Sequence, residues 1–178
     1  MSKIRITGGE WRSRLVKVNP KVEGLRPTPD RVRVTLFNWL GQDLSGLSCL
    51  DLFAGSGVLG FEAASRGAAL VTLVEQDQGA FDVLRQNAQA LGSDRLQLIR
   101  SDAVKFAASS AQRYDLVFLD PPYRQDWLER IEPCLARLVL PGALVYVEAE
   151  RAIDSLGDWR SIKRNHAGQV FYQLMEQS

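Results

Sequence analysis

Apolar positions along this chain keep two rhythms. From about residue 48 onward, short apolar runs alternate with stretches in which apolar residues recur every three or four positions. The runs are SCLDLF (48–53), LVTLVEQ (70–76), LQLIRS (96–101), DLVFLD (115–120) and ALVYVEAE (143–150). Four of them are nearly continuous in apolar character, as strands covered on both faces must be. Between them VLGFEAASRG, GAFDVLRQNAQALG, AVKFAASSA and DWLERIEPCLARL carry helical spacing. Strands alternating with helices in this way predict an α/β fold: a mostly parallel sheet, helices on both faces, right-handed crossovers. The tail changes rhythm. WRSIKRNHAG and QVFYQLME read as two strands about a tight Ala167-Gly168 turn, an antiparallel hairpin at one sheet edge.

The first 45 residues follow another pattern. IRIT (4–7) and RLVKV (14–18) alternate around Gly8-Gly9 and predict a small β-hairpin with its charges on one face. In LRPTPDRVRVTLFNWL, Thr28 is a candidate helix cap and Pro29 suits the first helical position. Val32, Leu36, Trp39 and Leu40 then recur at helical spacing, which should turn Arg31 and Arg33 away from part of the apolar stripe. GQDLSG (41–46) is the expected joint. The division predicted is an N-terminal extension over 1–45 and a main domain over 46–178. A chain of 178 residues with 46% hydrophobic content is long enough for one sizeable core.

Charge sharpens that division. The net charge is only +1, yet residues 1–33 carry nine Lys or Arg against Glu10, Glu23 and Asp30, a local balance of +6. The rest of the chain is therefore mildly acidic. A basic arm on an acidic body suits an enzyme that holds nucleic-acid phosphates while its body does chemistry, and a solvated basic face that binds nothing fits the charge equally well. There is no run of 18 apolar residues, and MSKIRITGGEWRSR places charges where a signal peptide needs an apolar centre, so a cytoplasmic protein is expected. Cys49 and Cys134 form no C-x-x-C pair and His166 is the single histidine, which leaves too few soft ligands for zinc. Both cysteines are expected to pack as small hydrophobes.

Candidate chemistry lies at the strand ends, because ligands of open α/β sheets bind outside the carboxyl ends of the strands. The first strand runs into DLFAGSGVLG, with Gly55, Gly57 and Gly60 at dinucleotide-fingerprint spacing. Glycines there permit a tight turn and close approach of a ligand, and the helix start offers free N–H groups. Glu75, about 20 residues on, is placed for ribose hydroxyls. Asp51, just before the turn, would repel a pyrophosphate but favour the amino and sulfonium groups of S-adenosylmethionine; it could also brace the loop by accepting backbone N–H groups. Asp102 ends the third strand, either to accept from an adenine amine or to cap the next helix.

The fourth strand ends in Asp120-Pro121-Pro122-Tyr123. The prolines donate no backbone hydrogen bond and fix φ, so the turn is stiff and its carbonyls are free to accept. Those carbonyls and the Asp120 carboxylate can take both hydrogens of an exocyclic amine, and Tyr123 offers a flat ring for a planar base. Holding the amine by its hydrogens draws its lone pair out of conjugation, which suits methyl transfer to an NH2 group. Asp51, Glu75, Asp102 and Asp120 are thus expected along one rim of the sheet.

The glycine turn together with Asp-Pro-Pro-Tyr resembles the class I S-adenosylmethionine-dependent amino-methyltransferases. More closely, IRITGGEWRSR, GLRPTPDRVRVTLFNWL, CLDLFAGSGVLGFEAASRGA, FLDPPY and HAGQVFYQL resemble the RsmD family, which methylates N2 of guanine 966 in 16S ribosomal RNA. The resemblance implies a Rossmann-like, seven-stranded sheet and a substrate in the small ribosomal subunit. It implies S-adenosylmethionine held by Asp51, Phe53, Ala54, Gly55, Ser56, Gly57 and Gly60, with Glu75 on ribose and Asp102 and Ala103 at adenine. Asp120 would orient the amine with the Pro121 carbonyl as second acceptor, Pro122 would stiffen the turn, and Tyr123 would stack on guanine. Thr28 would cover the cofactor, and Arg5, Arg12, Arg14, Arg26, Arg31 and Arg33 would meet RNA. Gln169 belongs to the tail motif without a role of its own. One departure is visible: Val34 stands where the family commonly has an acidic residue. Rival readings are a DNA adenine-N6 methyltransferase, for which the chain has little room for a target-recognition domain, and a non-catalytic RNA-binding module, which the intact rim disfavours. A nicotinamide-dependent reductase leaves the Pro-Pro turn unexplained, and a protein glutamine amide is a less fitting target for a basic arm. The sequence leaves the oligomeric state open; a monomer is compatible with it.

Overall fold

The computed structural model describes residues 1–22 and 26–178. Gly24 and Leu25, which open the arm motif, and Glu23 lie outside the described residues. Strands β1 (Ser2–Arg5) and β2 (Leu15–Val18) pair antiparallel, Ser2 opposite Val18, and helix α1 spans Asp30–Leu40. The expected alternation follows: β3 (Ser48–Asp51), α2 (Val58–Ser65), β4 (Leu70–Glu75), α3 (Gln78–Leu91), β5 (Leu96–Arg100), α4 (Ala103–Ser109) and β6 (Tyr114–Leu119).

The predicted single helix after β6 is broken. It consists of α5 (Trp127–Ile131), a 3-10 turn over Glu132–Cys134 and α6 (Leu135–Leu138). Pro133 explains the break, since it lacks an N–H and its ring would strike the carbonyl four residues back. β7 (Val139–Ala149), a two-residue β8 (Ser155–Leu156), β9 (Trp159–Ala167) and β10 (Val170–Gln177) complete the chain. The turn of the last hairpin falls on Gly168-Gln169 rather than Ala167-Gly168, with Ala167 still paired to Val170 and Gly168 at φ +60°.

The main sheet has the order β5-β4-β3-β6-β7-β10-β9-β8. β5 through β7 are parallel and β10 is antiparallel to β7, which is the class I methyltransferase arrangement of seven strands with β8 as a short addition. Strand order reverses between β3 and β6, so the switch-point crevice opens at Asp51 and Asp120.

Two apolar layers sandwich this sheet. Cys49, Leu73, Phe118 and Tyr146 face α1, α2 and α3 along with Ile6, Trp11 and Val16 of the arm. Leu50, Val74, Val117, Leu119 and Val147 face α4, α5 and α6. The arm therefore shares the core of one layer instead of standing off from it. Its loop is sewn to the end of α2: Glu10 N–H donates to the Ser65 carbonyl at 2.7 Å, Trp11 N–H to Ser65 Oγ at 2.8 Å, and Ser65 Oγ to the Gly8 carbonyl at 2.6 Å.

Candidate active site

Parallel register decides which carboxylates share a face. Asp51 pairs with Phe118 on one side and Leu73 on the other, and Phe118 pairs with Tyr146. Side chains alternate along a strand, so Glu75, Asp120 and Glu148, two residues beyond those partners, point to the same face as Asp51. All four line one cleft of about 950 Å³, within the range of small-molecule sites. Phe53, Ala54, Ser56, Ala103, the whole Asp120-Pro121-Pro122-Tyr123 turn, Arg26 and Thr28 also line it.

Asp51 is buried at the end of β3. Its Oδ2 accepts the Gly60 N–H at 3.0 Å, while Oδ1 is buried and, among the described residues, has no hydrogen-bond partner. Burial pushes its carboxyl up to about 7; the Gly60 hydrogen bond opposes the rise, and Glu75 and Glu148 add to it. The bracing role foreseen for Asp51 is thus met by one oxygen, which leaves the other free of it.

Glu75 Oε1 accepts the Gly55 N–H at 2.9 Å and Oε2 the Asp77 N–H at 2.8 Å. Each oxygen keeps a lone pair, so bracing the loop leaves acceptors for hydroxyls. Burial raises its pKa against those two hydrogen bonds. Gly55 and Gly57 take φ +55° and +88°, and a Cβ on Gly57 would lie 2.5 Å from Phe61 and Leu84. These glycines shape the turn without lining the cleft. Gly60 lets α2 approach β4, since a Cβ there would fall 2.7 Å from Leu73 Cδ2.

Asp120 meets Thr28 and Glu148. Thr28 Oγ1 lies 2.7 Å from Glu148 Oε1 and 3.3 Å from Asp120 Oδ2, and the Tyr146 hydroxyl donates to Glu148 Oε1 at 2.7 Å. Burial foremost, then Glu148, holds Asp120 well above the usual carboxylate range. Burial also raises the Tyr123 phenol, with Asp120, Glu148 and Glu150 contributing and Arg26 opposing. Immediately after this turn Arg124 and Asp126 adopt φ +66° and +52°, a left-handed conformation that strains residues with a Cβ.

Several sequence expectations are corrected. Thr28 does not cap α1: Pro29 holds the cap position without a side-chain cap, and the Thr28 hydroxyl turns to the carboxylates. Asp102 leaves the rim. Its Oδ1 accepts the Lys105 N–H at 3.0 Å as the cap of α4, and the neighbouring Ser101 and Ala103 line the cleft instead. Arg33 is fully buried and no surface cation. It bonds Glu62 Oε2 at 2.7 Å, the Thr28 carbonyl at 2.9 Å and the Arg5 carbonyl at 2.8 Å, and pairs with Asp30.

Arg5, Arg12, Arg14, Arg26 and Arg31 are exposed. Val34, the departure from the family pattern, is exposed on α1 and does not line the cleft. Gln169 gains a position, lining the cleft from the hairpin turn. Glu148 is the residue that sequence reasoning missed. The signal was available, since β7 is the next parallel strand and Glu148 stands in register one residue past the Leu119–Val147 pair. Among the described residues no helix is long and apolar enough to cross a membrane, and no three His, Cys, Asp or Glu converge as a metal cage.

Comparison with known proteins gives this cleft its kin. The family model described as "Conserved hypothetical protein 95" matches residues 4–176. Ribosomal RNA small subunit methyltransferase D of Escherichia coli (strain K12) is 42% identical over 97% of this chain and 89% of its own length. The protein of the same name from Haemophilus influenzae is 39% identical over 97% and 93%. The solved structure of Escherichia coli yhhF covers 99% of both chains with a TM-score of 0.89 at 40% identity. With a family model spanning nearly the whole chain and relatives of this identity along its full length, the chain belongs to the RsmD family of class I methyltransferases.

Proposed function

We propose that this protein transfers a methyl group from S-adenosylmethionine to the exocyclic N2 amine of a guanine, position 966, in 16S ribosomal RNA of the small subunit. The observation that carries the reading is one cleft holding both an unpartnered buried acceptor, Asp51 Oδ1, and the Asp-Pro-Pro-Tyr turn with its carboxylate. The names of the bacterial relatives support the RNA and the subunit.

The residues present fit the cofactor. Asp51 Oδ1 suits an ammonium group, Glu75 retains acceptors for ribose hydroxyls, and Phe53, Ala54, Ser56 and Ala103 wall the space between. Bound there, S-adenosylmethionine supplies an electrophilic methyl carbon on sulfur. Asp120 and the Pro121 carbonyl would take the hydrogens of the target amine and Tyr123 would stack on the base, leaving the amine lone pair to form the N–C bond while the C–S bond of the donor breaks. No covalent enzyme intermediate is needed: Cys49 is buried, its thiol pushed up to about 12 by burial and then by Asp115, and Cys134 lies beyond the cleft. Alignment then provides the rate, up to about 7 to 11 kcal/mol for well-placed reactants. Residues 1–45 act as the RNA-contacting extension, with Arg5, Arg12, Arg14, Arg26 and Arg31 exposed for phosphates. The target base must be unpaired or flipped to reach the cleft.

The test incubates purified protein and radiolabelled S-adenosylmethionine with unmethylated small subunits, protein-free 16S RNA and duplex DNA, followed by nucleoside analysis. Label as N2-methylguanosine at one site supports the proposal; label on DNA adenine keeps the chemistry and overturns the substrate. Asp120→Ala should abolish turnover and leave cofactor binding largely intact. Loss of cofactor affinity instead would remove Asp120 from its assigned role.

A further inference from the structure

We propose that Glu148, reached through the Thr28 hydroxyl, stores the proton that Asp120 removes from the methylated amine. The inference rests on the functional reading above and assigns two residues of this chain that the Asp-Pro-Pro-Tyr motif does not contain.

Proton counting carries it. A threonine hydroxyl has one hydrogen, and the Thr28 oxygen lies between two carboxylates. The 2.7 Å contact to Glu148 Oε1 takes that hydrogen, and Tyr146 donates to the same oxygen at 2.7 Å. Glu148 Oε1 thus lies within reach of two hydroxyls. The Thr28 oxygen then turns a lone pair toward Asp120 Oδ2 at 3.3 Å, a contact that becomes a full hydrogen bond when Asp120 carries a proton. The reaction produces that state. As N–C forms and C–S breaks, the nitrogen becomes cationic and gives a proton to Asp120. Asp120 passes one to Thr28 Oγ1 while Thr28 passes its own to Glu148 Oε1. Asp120 returns to the ionised form, and Glu148 is neutral until its proton leaves with product release.

Packing keeps the Thr28 oxygen beside both carboxylates. Thr28 and Glu148 are both buried, and Arg33 Nε holds the Thr28 carbonyl at 2.9 Å. Burial and Glu148 raise Asp120 above the usual carboxylate range, which suits it to take up the amine's proton, and burial with Glu148 raises the Tyr146 phenol, which therefore stays a donor. Asp51 on β3, Tyr146 on β7 and Tyr123 in the turn interact with the pair, while Tyr172 on β10 acts on Tyr146, and Glu150 and Arg26 act on Tyr123.

The test compares Thr28→Val, which keeps shape without a hydroxyl, Thr28→Ser, which restores it, and Glu148→Gln, which keeps an acceptor for Tyr146 but cannot store a proton. Single-turnover rates are measured at saturating RNA and S-adenosylmethionine from pH 6 to 9, with S-adenosylhomocysteine affinity as the check on folding. Thr28→Val and Glu148→Gln should each lower the rate about 10- to 100-fold, the lower reach of general acid–base effects because Asp120 remains. The double variant should be no slower than the slower single, and both singles should lose the same inflection of the pH–rate profile. Thr28→Ser should recover to within about threefold of wild type. The relay is overturned by variants that keep the wild-type rate and profile, by losses confined to cofactor affinity or folding, or by multiplicative losses in the double variant. An active wild type beside unaffected variants sinks the relay alone, whereas a wild type that makes no N2-methylguanosine sinks the functional reading and the relay together.

Discussion

Binding of S-adenosylhomocysteine should release a proton from Asp51, and the amount can be worked from the site. The reaction product keeps the methionine ammonium group and lacks the sulfonium, so it isolates one charge. Asp51 Oδ1 is the buried acceptor without a partner, and its carboxyl stands near 7 instead of the ordinary 3.8, chiefly through burial. An ammonium beside it favours the ionised form. If only the ionised form binds, apparent affinity falls about tenfold per unit well below pH 7, or roughly 50-fold from pH 7 to pH 5. Calorimetry at pH 6 in two buffers of different ionisation enthalpy should find about nine-tenths of a proton released. Asp51→Asn should bind more weakly at pH 7 and show no such slope. Flat wild-type affinity from pH 5 to 7 would refute the assignment. An undiminished slope in Asp51→Asn would move the titration to Asp120 or Glu75.

The same group sets the sign of ligand-free stability. Its pKa is raised in the folded state, so its contribution is full below the unfolded value of 3.8 and is lost as pH rises through about 7. A urea midpoint that falls over this window in wild type should fall less in Asp51→Asn.

Glu62→Ala leaves the buried Arg33 and Arg66 guanidiniums without their shared carboxylate, at a cost of about 3 to 5 kcal/mol in urea unfolding; a loss below about 1 kcal/mol would show that water or rearrangement satisfies them. Gly9→Ala places a Cβ 2.1 Å from the Ser65 carbonyl at φ +79°, so the arm loop should shift off α2 and stability fall by about 1 to 3 kcal/mol from backbone strain alone. An unchanged melting temperature would mean that the loop moves freely. Tyr123→Ala should weaken RNA binding by about 1 to 3 kcal/mol if the ring stacks on the base, with Tyr123→Phe near wild type in KM for RNA.

Local pattern was enough for some features and too short-sighted for others. Strands β3 to β7 and the helices between them were legible because burial on both faces writes apolar runs and burial on one face writes a 3.6-residue period. Asp51, Glu75 and Asp120 were legible because strand ends converge wherever a parallel sheet forms. Arg33 was not: a guanidinium in a basic stretch reads as surface, and its partner Glu62 lies 29 residues on, inside an apolar helix. Thr28 carried the local signature of a cap, yet a carboxylate 120 residues away claimed its hydroxyl. Asp102 was open between two roles, and of these the structure shows the helix cap, its carboxylate taken by the nearest backbone N–H. Glu148 was within reach of the strand-end rule.

Arg33, Thr28 and Glu148 belong to a continuous path between the basic arm and the Asp120 end of the cleft. Glu62 accepts the Thr7 N–H at 3.0 Å and the Arg33 guanidinium at 2.7 Å; Arg33 holds the Thr28 carbonyl; Thr28 meets both Glu148 and Asp120. Every link is buried or half-buried, so solvent screens the path little. An arm that only gathered RNA phosphates would need a tether, and the shared apolar layer already provides one. Burying two guanidiniums around one carboxylate is an expensive way to fasten a hairpin, because apolar residues of equal volume hold as well or better. What the polar path adds is placement: it sets the Thr28 oxygen against Asp120 and Glu148, the carboxylates proposed above to serve the target amine. If the proposed function holds, substitutions at Arg33 or Glu62 should therefore show in turnover at saturating RNA as well as in stability.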